Sequence, residues 1–289
     1  SCGFRFFDCA SVRIGPALSF AVWFAKALVL SNVAVAKEVL APSERMDLHV
    51  DFTAFAGQTV LLQNSNPPAS VRTPAPNLQR VMQFRVGTTL SSTAVTSIAG
   101  LTLPAADGDL AQLIGKGAPT FSTSGSRMIT LNEVGAKTPA WTMNLNGSGF
   151  MAGGNVQKLT QDAIEDWYYV NTTPDTHPMH THLFMFKVIG RYNFDVAGYV
   201  AKYGTPHGIP QQDVSTLVPY LKSKLIPPAP EEAGWKDAVK ANPGQITVVR
   251  AIFRLPSTAT GTQKYVHHCH IVEHEDNDMM ERFEVALKA

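Results

Sequence analysis

Residues 265–280 read YVHHCHIVEHEDNDMM, and this window decides the fold class and the chemistry of the chain. If Val266–Ile271 is extended, strand alternation puts His268 and His270 on one face and Cys269 on the other, with His274 and Met279 in the turn beyond. A thiolate, two imidazoles and a thioether form the ligand set of a blue-copper electron-transfer site, with Met as the long axial ligand. Upstream, residues 176–186 read THPMHTHLFMF. Alternation places His180 and His182 on one face, whereas His177, set off by Pro178, can point elsewhere, so this window can serve two sites.

His177, His180, His182, His267, His268, His270 and His274 are seven of the nine histidines in the chain, a clustering that makes metal binding the leading hypothesis. Zinc is the nearest competitor for Cys and His ligands, but its sites usually offer Cys pairs and seldom recruit Met, and no such pair is present. Satisfied core histidines and a buried thiol would be the default for any one of these residues. That reading is hard to sustain for eight together. His267 lies on the face of Cys269, where the four ligand places are already filled, and is expected to be structural. His49 and His207 are expected to be solvated and Met280 to pack in the core.

Outward from these windows the pattern is that of strands. Leu48, Val50 and Phe52 alternate with Asp47, His49 and Asp51, and Ala56-Gly57-Gln58 turns the chain into Thr59–Leu62. Residues 64–77 hold four prolines and read as a loop before a strand at Val81–Val86. Further strands are expected at Met128–Leu131, Trp141–Leu145 (closed by Asn146-Gly147, a tight-turn pair), Asp166–Asn171, His182–Ile189, Gln245–Leu255 and Arg282–Leu287. Short helices are expected at Asp213–Leu225 and Glu231–Ala241, stretches of about helical length with few turn residues. The stretch 108–127, rich in Gly, Ser, Pro and Ala, reads as a linker between residues 1–107 and 128–289. Many short strands with helices confined to connections define an all-β Greek-key sandwich.

The chain has 289 residues, 45% hydrophobic and 16% charged, with net charge +1, which suits a globular protein and gives no basic field for nucleic acid. Cys2, Cys9 and Cys269 are too few for a disulfide framework; Cys2 and Cys9 could pair with each other or elsewhere. The apolar run 18–35 is nearly the length of a membrane span, but Lys26 lies near its middle, and a buried segment is favoured over a membrane helix.

H-P-x-H-x-H followed by H-C-H-x-x-x-H-x-x-x-x-M resembles the third and fourth copper motifs of the multicopper oxidases. The short gap from Cys269 to His274 is unlike that of nitrite reductases and small blue-copper proteins. HIVEHEDNDMM, APSERMDLHVDF at 41–52, MQFRV at 82–86 and GWKD at 234–237 are similar to the bacterial spore-coat laccase and bilirubin oxidase branch. The resemblance covers most of residues 37–289 and implies an incomplete second and a whole third cupredoxin-like domain of a three-domain enzyme. It implies that His177, Cys269, His274 and Met279 hold a type 1 copper, that His180 binds a type 2 copper, and that His182, His268 and His270 bind a type 3 pair. The resemblance also implies that Glu275 takes the place of an acid that delivers protons to that cluster; the alternative is a solvated carboxylate in an acidic turn beside Glu273, Asp276 and Asp278. The implied reaction is oxidation of phenol-like or other small reducing substrates coupled to reduction of O2 to water; the alternative is a blue-copper electron-transfer or copper-binding module without oxidase activity. Two departures stand out. Residues 10–36 lack the family's polar strands and Gly-rich turn, and the family's two N-terminal H-x-H motifs are absent, so four of eight cluster imidazoles are expected from a missing N-terminal cupredoxin domain. Localisation is expected to be extracellular, periplasmic or in a spore coat.

Overall fold

The computed structural model describes residues 4–5, 10–13, 20–23, 34–35, 37–45, 47–50, 52–64, 80–89, 107–135 and 142–288. The chain divides into two compact units, Ser1–Ala105 and Ala106–Ala289. Cys2, Cys9, the proline-rich stretch 65–77 and the side chain of His49 lie outside the described residues.

The first unit holds β1 (Phe4–Arg5), β2 (Ala10–Arg13), β3 (Phe20–Trp23), β4 (Ala34–Val35), β5 (Lys37–Leu40), β6 (Asp47–Val50), β7 (Thr59–Asn64) and β8 (Arg80–Arg85). They form two four-stranded sheets, ordered β1-β6-β3-β4 and β5-β2-β7-β8. The alternation at 47–52 emerges as β6, and the Gly57 turn delivers the chain to β7, which pairs antiparallel with β8. β3 and β4 fall within the apolar run, and among the described residues no helix is long and apolar enough to cross a membrane.

The second unit begins with a helix, α1 (Gly108–Gly115), in the stretch read as a linker. Asp107 caps it, its carboxylate accepting from the Leu110 amide at 2.7 Å, and Leu110 and Leu113 are buried beneath it. The Gly and Ser content of the flanks hid a short amphipathic turn whose apolar pair, three residues apart, faces the sheet.

Strands then follow as β9 (Ser126–Val134), β10 (Thr142–Leu145), β11 (Val156–Thr160), β12 (Ile164–Asn171), β13 (His177–Thr181) and β14 (Phe186–Asn193). After α2 (Val196–Tyr203) come β15 (Trp235–Lys236), β16 (Ala238–Ala241), β17 (Gln245–Ile252), β18 (Gln263–Cys269), α3 (Val272–Glu275) and β19 (Met280–Ala286). A six-stranded sheet, β10-β9-β12-β17-β14-β15, and a five-stranded sheet, β11-β19-β18-β13-β16, make up the sandwich. Asn146 and Gly147 both take positive φ, 54° and 75°, as the tight turn requires.

Alternation along β12 shows how the layers form. Trp167 and Tyr169 face the five-stranded sheet and pack with Phe186, Val249, Met179, Cys269 and Phe283, whereas Tyr168 and Val170 face outward and join Tyr199 of α2 with Val214 and Leu217. Both faces of the central strand are buried, which is why it reads as a nearly continuous apolar run.

Two helix expectations change. Asp213–Leu225 holds a shorter 3-10 helix, Val214–Tyr220. Glu231–Ala241, expected to be helical, is a single 3-10 turn at Pro230–Glu232 followed by β15 and β16. Gly234 interrupts the run just before β15, a scarcity of turn residues does not distinguish helix from strand, and the pairing of β16 with β13 decides for strand.

Candidate metal centre

The two histidine windows become neighbours in one sheet: β13 pairs antiparallel with β18, with Met179 opposite Cys269, His180 opposite His268 and Thr181 opposite His267. Register and alternation together sort the ligands. Met179 and Cys269 point into the sandwich, and His177, two residues before Met179, follows them. His180 and His268 point to the other side.

On the inner side the chain leaves β18 and makes the single turn α3, which brings His274 back over Cys269. Cys269 Sγ lies 3.6 Å from His177 Nδ1 and 3.7 Å from His274 Nδ1, and the two nitrogens are 3.2 Å apart. A point equidistant from these three atoms is about 2.0 Å from each, the length of a bond from a first-row transition metal to imidazole. The trigonal His2Cys triangle therefore fits such an ion without rearrangement. Met279 is buried in the same cluster, tied down by its carbonyl accepting from the Cys269 amide at 3.0 Å and its own amide donating to the His274 carbonyl at 2.9 Å. Met280, expected in the core, is half-buried at the start of β19.

Burial pushes the Cys269 thiol up to about 12 and the His274 imidazole below its usual range. At neutral pH the metal-free thiol thus keeps its proton, which an incoming ion must displace. Affinity for copper at this triangle should rise about tenfold per pH unit through neutrality, measured by competition with a chelator of known pH dependence. A pH-independent affinity would contradict it.

On the outer side His180, His182 and His268 present ring nitrogens within 4.8 Å of one another. The His270 ring is 5.3 Å from that of His268 and 5.6 Å from that of His180. His180 Nδ1 donates to the Asp237 carbonyl at 2.8 Å and His268 Nδ1 to the Cys269 carbonyl at 3.0 Å, because a carbonyl can only accept. Both rings are thereby held with Nε2 unprotonated and available to a metal. Burial, above all, also lowers the pKa of both, favouring the neutral ligand form. Glu275, one-third exposed, places Oε2 3.3 Å from His268 Nδ1.

His267 lies apart from both groups, buried against Trp167 with Nε2 donating to Glu281 at 3.0 Å. Glu281 also accepts from Asn146 and Gln157, so this network joins β19 to the β10 turn and β11. His207 is exposed.

Three residues beside the inner triangle carried no signal in the sequence. Thr173 Oγ1 lies 2.6 Å from His177 Nε2, held in turn by Asn171. Glu133, from the far sheet, brings Oε1 to 3.3 Å from the same nitrogen, off the line of a good hydrogen bond. Burial works to raise the Glu133 carboxyl, but the proximity of His177, helped by His274 and Thr173, holds it below the usual carboxylate range.

Fold and donor set together define a metal-binding β-sandwich protein of the cupredoxin class, with sulfur and imidazole ligands suited to copper. The family model described as multicopper oxidase matches residues 121–288, and the chain belongs to that family. It is 31% identical to a laccase of Bacillus subtilis over 85% of this chain and 42% of that protein, and 28% identical to multicopper oxidase LPR1 of Arabidopsis thaliana over 93% of this chain and 46% of that one. Among solved structures, the McoA multicopper oxidase of Aquifex aeolicus superposes with a TM-score of 0.61 at 21% identity, covering 99% of this chain and 53% of that one. The chain spans about half the length of the relatives it matches.

Proposed function

We propose that this chain carries the electron-accepting copper site and half of the oxygen-reducing cluster of a laccase-like multicopper oxidase acting on phenolic or similar small reducing substrates. One observation carries the reading. Cys269 belongs to the inner triangle, while its two covalent neighbours, His268 and His270, belong to the outer group of imidazoles. The two groups are thus joined through adjacent residues of the chain at the end of β18.

Copper bound at these ligands would supply one-electron redox chemistry, accepting electrons from substrate at one site and passing them to O2 at the other. The protein's part is to hold and connect. His177, Cys269 and His274, together with the thioether of Met279, would hold the type 1 copper. His180 would bind the type 2 copper, and His182, His268 and His270 the type 3 pair. Glu275, in contact with His268, would hold a proton at its carboxylate for the reduction of oxygen, which consumes protons. The remaining four imidazoles implied by the family's cluster would come from polypeptide outside these 289 residues, since His267 is committed to Glu281 and His207 sits in a loop remote in sequence from any H-x-H pair. By the same resemblance the enzyme would work outside the cytoplasm, in an extracellular, periplasmic or spore-coat setting.

Copper per chain and oxygen uptake with a phenolic donor test this. Residues 1–289 alone should bind copper in the blue form without sustained turnover, and a longer protein supplying the other imidazoles should consume oxygen. Four coppers and steady turnover by residues 1–289 alone would refute the shared cluster, and a blue longer protein that never reduces oxygen would make it an electron-transfer module.

A further inference from the structure

We propose that Thr173 and Glu133 act through His177, holding its imidazole as the Nε2–H tautomer and biasing the bound copper towards its oxidised state. The inference rests on the type 1 reading of His177, Cys269 and His274.

The proton positions follow from neighbours that have only one role open to them. Asn171 Nδ2 donates to the carbonyls of Asp175 at 2.7 Å and Ala241 at 2.9 Å, which identifies its Oδ1 as the acceptor. That Oδ1 receives both the Thr173 amide and the Thr173 hydroxyl, each at 2.9 Å. The other oxygens in reach of that hydroxyl, the Asp175 carbonyl at 3.4 Å and the Glu133 carboxylate, are likewise acceptors, and Oγ1 already receives the Asp175 amide at 3.3 Å; with its proton on any of these oxygens, Thr173 Oγ1 accepts from His177 Nε2, 2.6 Å away. The imidazole proton is therefore on Nε2. Nδ1 is left with a lone pair aimed between Cys269 Sγ, at 3.6 Å, and His274 Nδ1, at 3.2 Å.

Glu133 adds charge to this arrangement. Its side chain is 4% exposed, and its Oε1 stands 3.3 Å from His177 Nε2. It arrives on β9, from the sheet opposite the strand that carries His177. A carboxylate behind a metal-bound imidazole strengthens that ring as a donor, and a buried negative charge favours the more positive state of a nearby metal. Both effects favour cupric over cuprous copper. Thr173 thus accounts for tautomer and orientation, and Glu133 for the electrostatic bias.

Three measurements on the full-length protein test the proposal. In the metal-free protein, the imidazole 15N shifts of His177 should report the Nε2–H tautomer; the Nδ1–H form would overturn it, and this readout needs no substitution. In the copper-loaded protein, Glu133→Gln keeps the shape and removes the charge. It should retain the blue absorption while the ratio of reduced to oxidised copper, against a fixed mediator, rises about tenfold, equal to about 59 mV for a one-electron couple. Glu133→Asp should recover part of that shift. An unchanged or lowered potential in Glu133→Gln, with the blue absorption intact, would overturn the role of Glu133. Copper-loaded wild-type protein without blue absorption would instead reject the type 1 reading beneath it, a result distinguishable from the other two.

Discussion

Replacing Cys269 with Ser should eliminate the intense thiolate-to-copper absorption and, on the proposed function, reduce oxygen uptake by a longer protein that supplies the other imidazoles by more than the 10–100-fold that loss of a supporting residue around a metal costs. The thiolate is the only soft anionic ligand in the triangle, and the absorption arises from charge transfer out of that sulfur. A hydroxyl at the same place is a hard, protonated oxygen facing His177 and His274 from a fully buried position. Copper content should fall by about one per chain, because two imidazoles and a thioether make a poor site without the thiolate. The outer imidazoles are untouched by the change, since His268 keeps its place in β18, the His270 amide keeps its bond to the Pro178 carbonyl at 2.8 Å, and the His268 hydrogen bond is made to the residue 269 carbonyl. Loss of blue colour with the remaining copper retained would therefore separate the two sites. Blue colour surviving in Cys269→Ser would show that another sulfur holds the copper and that the proposed register is wrong.

How much of this site could be read from sequence depends on how local each ligand is. Alternation alone separated Cys269 from His268 and His270, and Pro178 marked the change of direction between His177 and His180, because side-chain direction along a strand is a property of neighbouring residues. What alternation could not supply was the pairing of β13 with β18, which aligns Met179 with Cys269 across 90 residues of chain and turns two windows into one centre. Glu133 was invisible for the same reason: it reaches His177 through the packing of two sheets, and no spacing in the sequence encodes that contact. The errors in the fold are of a different kind. Residues 108–127 and 231–241 were judged by composition, and there burial decided the outcome, putting Leu110 and Leu113 under a helix and β16 beside β13.

The other large effect is expected in stability, from Arg250. This residue on β17 sits directly across from Asp166 on β12, and the pair is almost wholly buried. Arg250 Nε and Nη2 donate to the two oxygens of Asp166 at 2.5 and 2.9 Å, and Nη1 donates to the carbonyls of Leu113 at 3.1 Å and Gly117 at 2.8 Å. One side chain thus neutralises a buried carboxylate and fixes the C-terminal end of α1 to the sheet. Arg250→Met fills most of the same volume but leaves Asp166 buried without its cation and two carbonyls without donors. Removing one partner of a buried pair costs about 3–5 kcal/mol, and at about 2–4 °C per kcal/mol for a unit of this size the melting temperature should fall by about 6–20 °C. Because the penalty comes mainly from the stranded charge, the double variant Asp166→Leu with Arg250→Met should be more stable than Arg250→Met alone. α1 should also loosen, and limited proteolysis between Gly115 and Ser124 should speed up in both variants, since both lose the bonds to Leu113 and Gly117. A double variant no more stable than Arg250→Met would mean that the arginine matters as an anchor for the helix rather than as the counter-charge of Asp166. Unchanged melting in Arg250→Met would refute both roles.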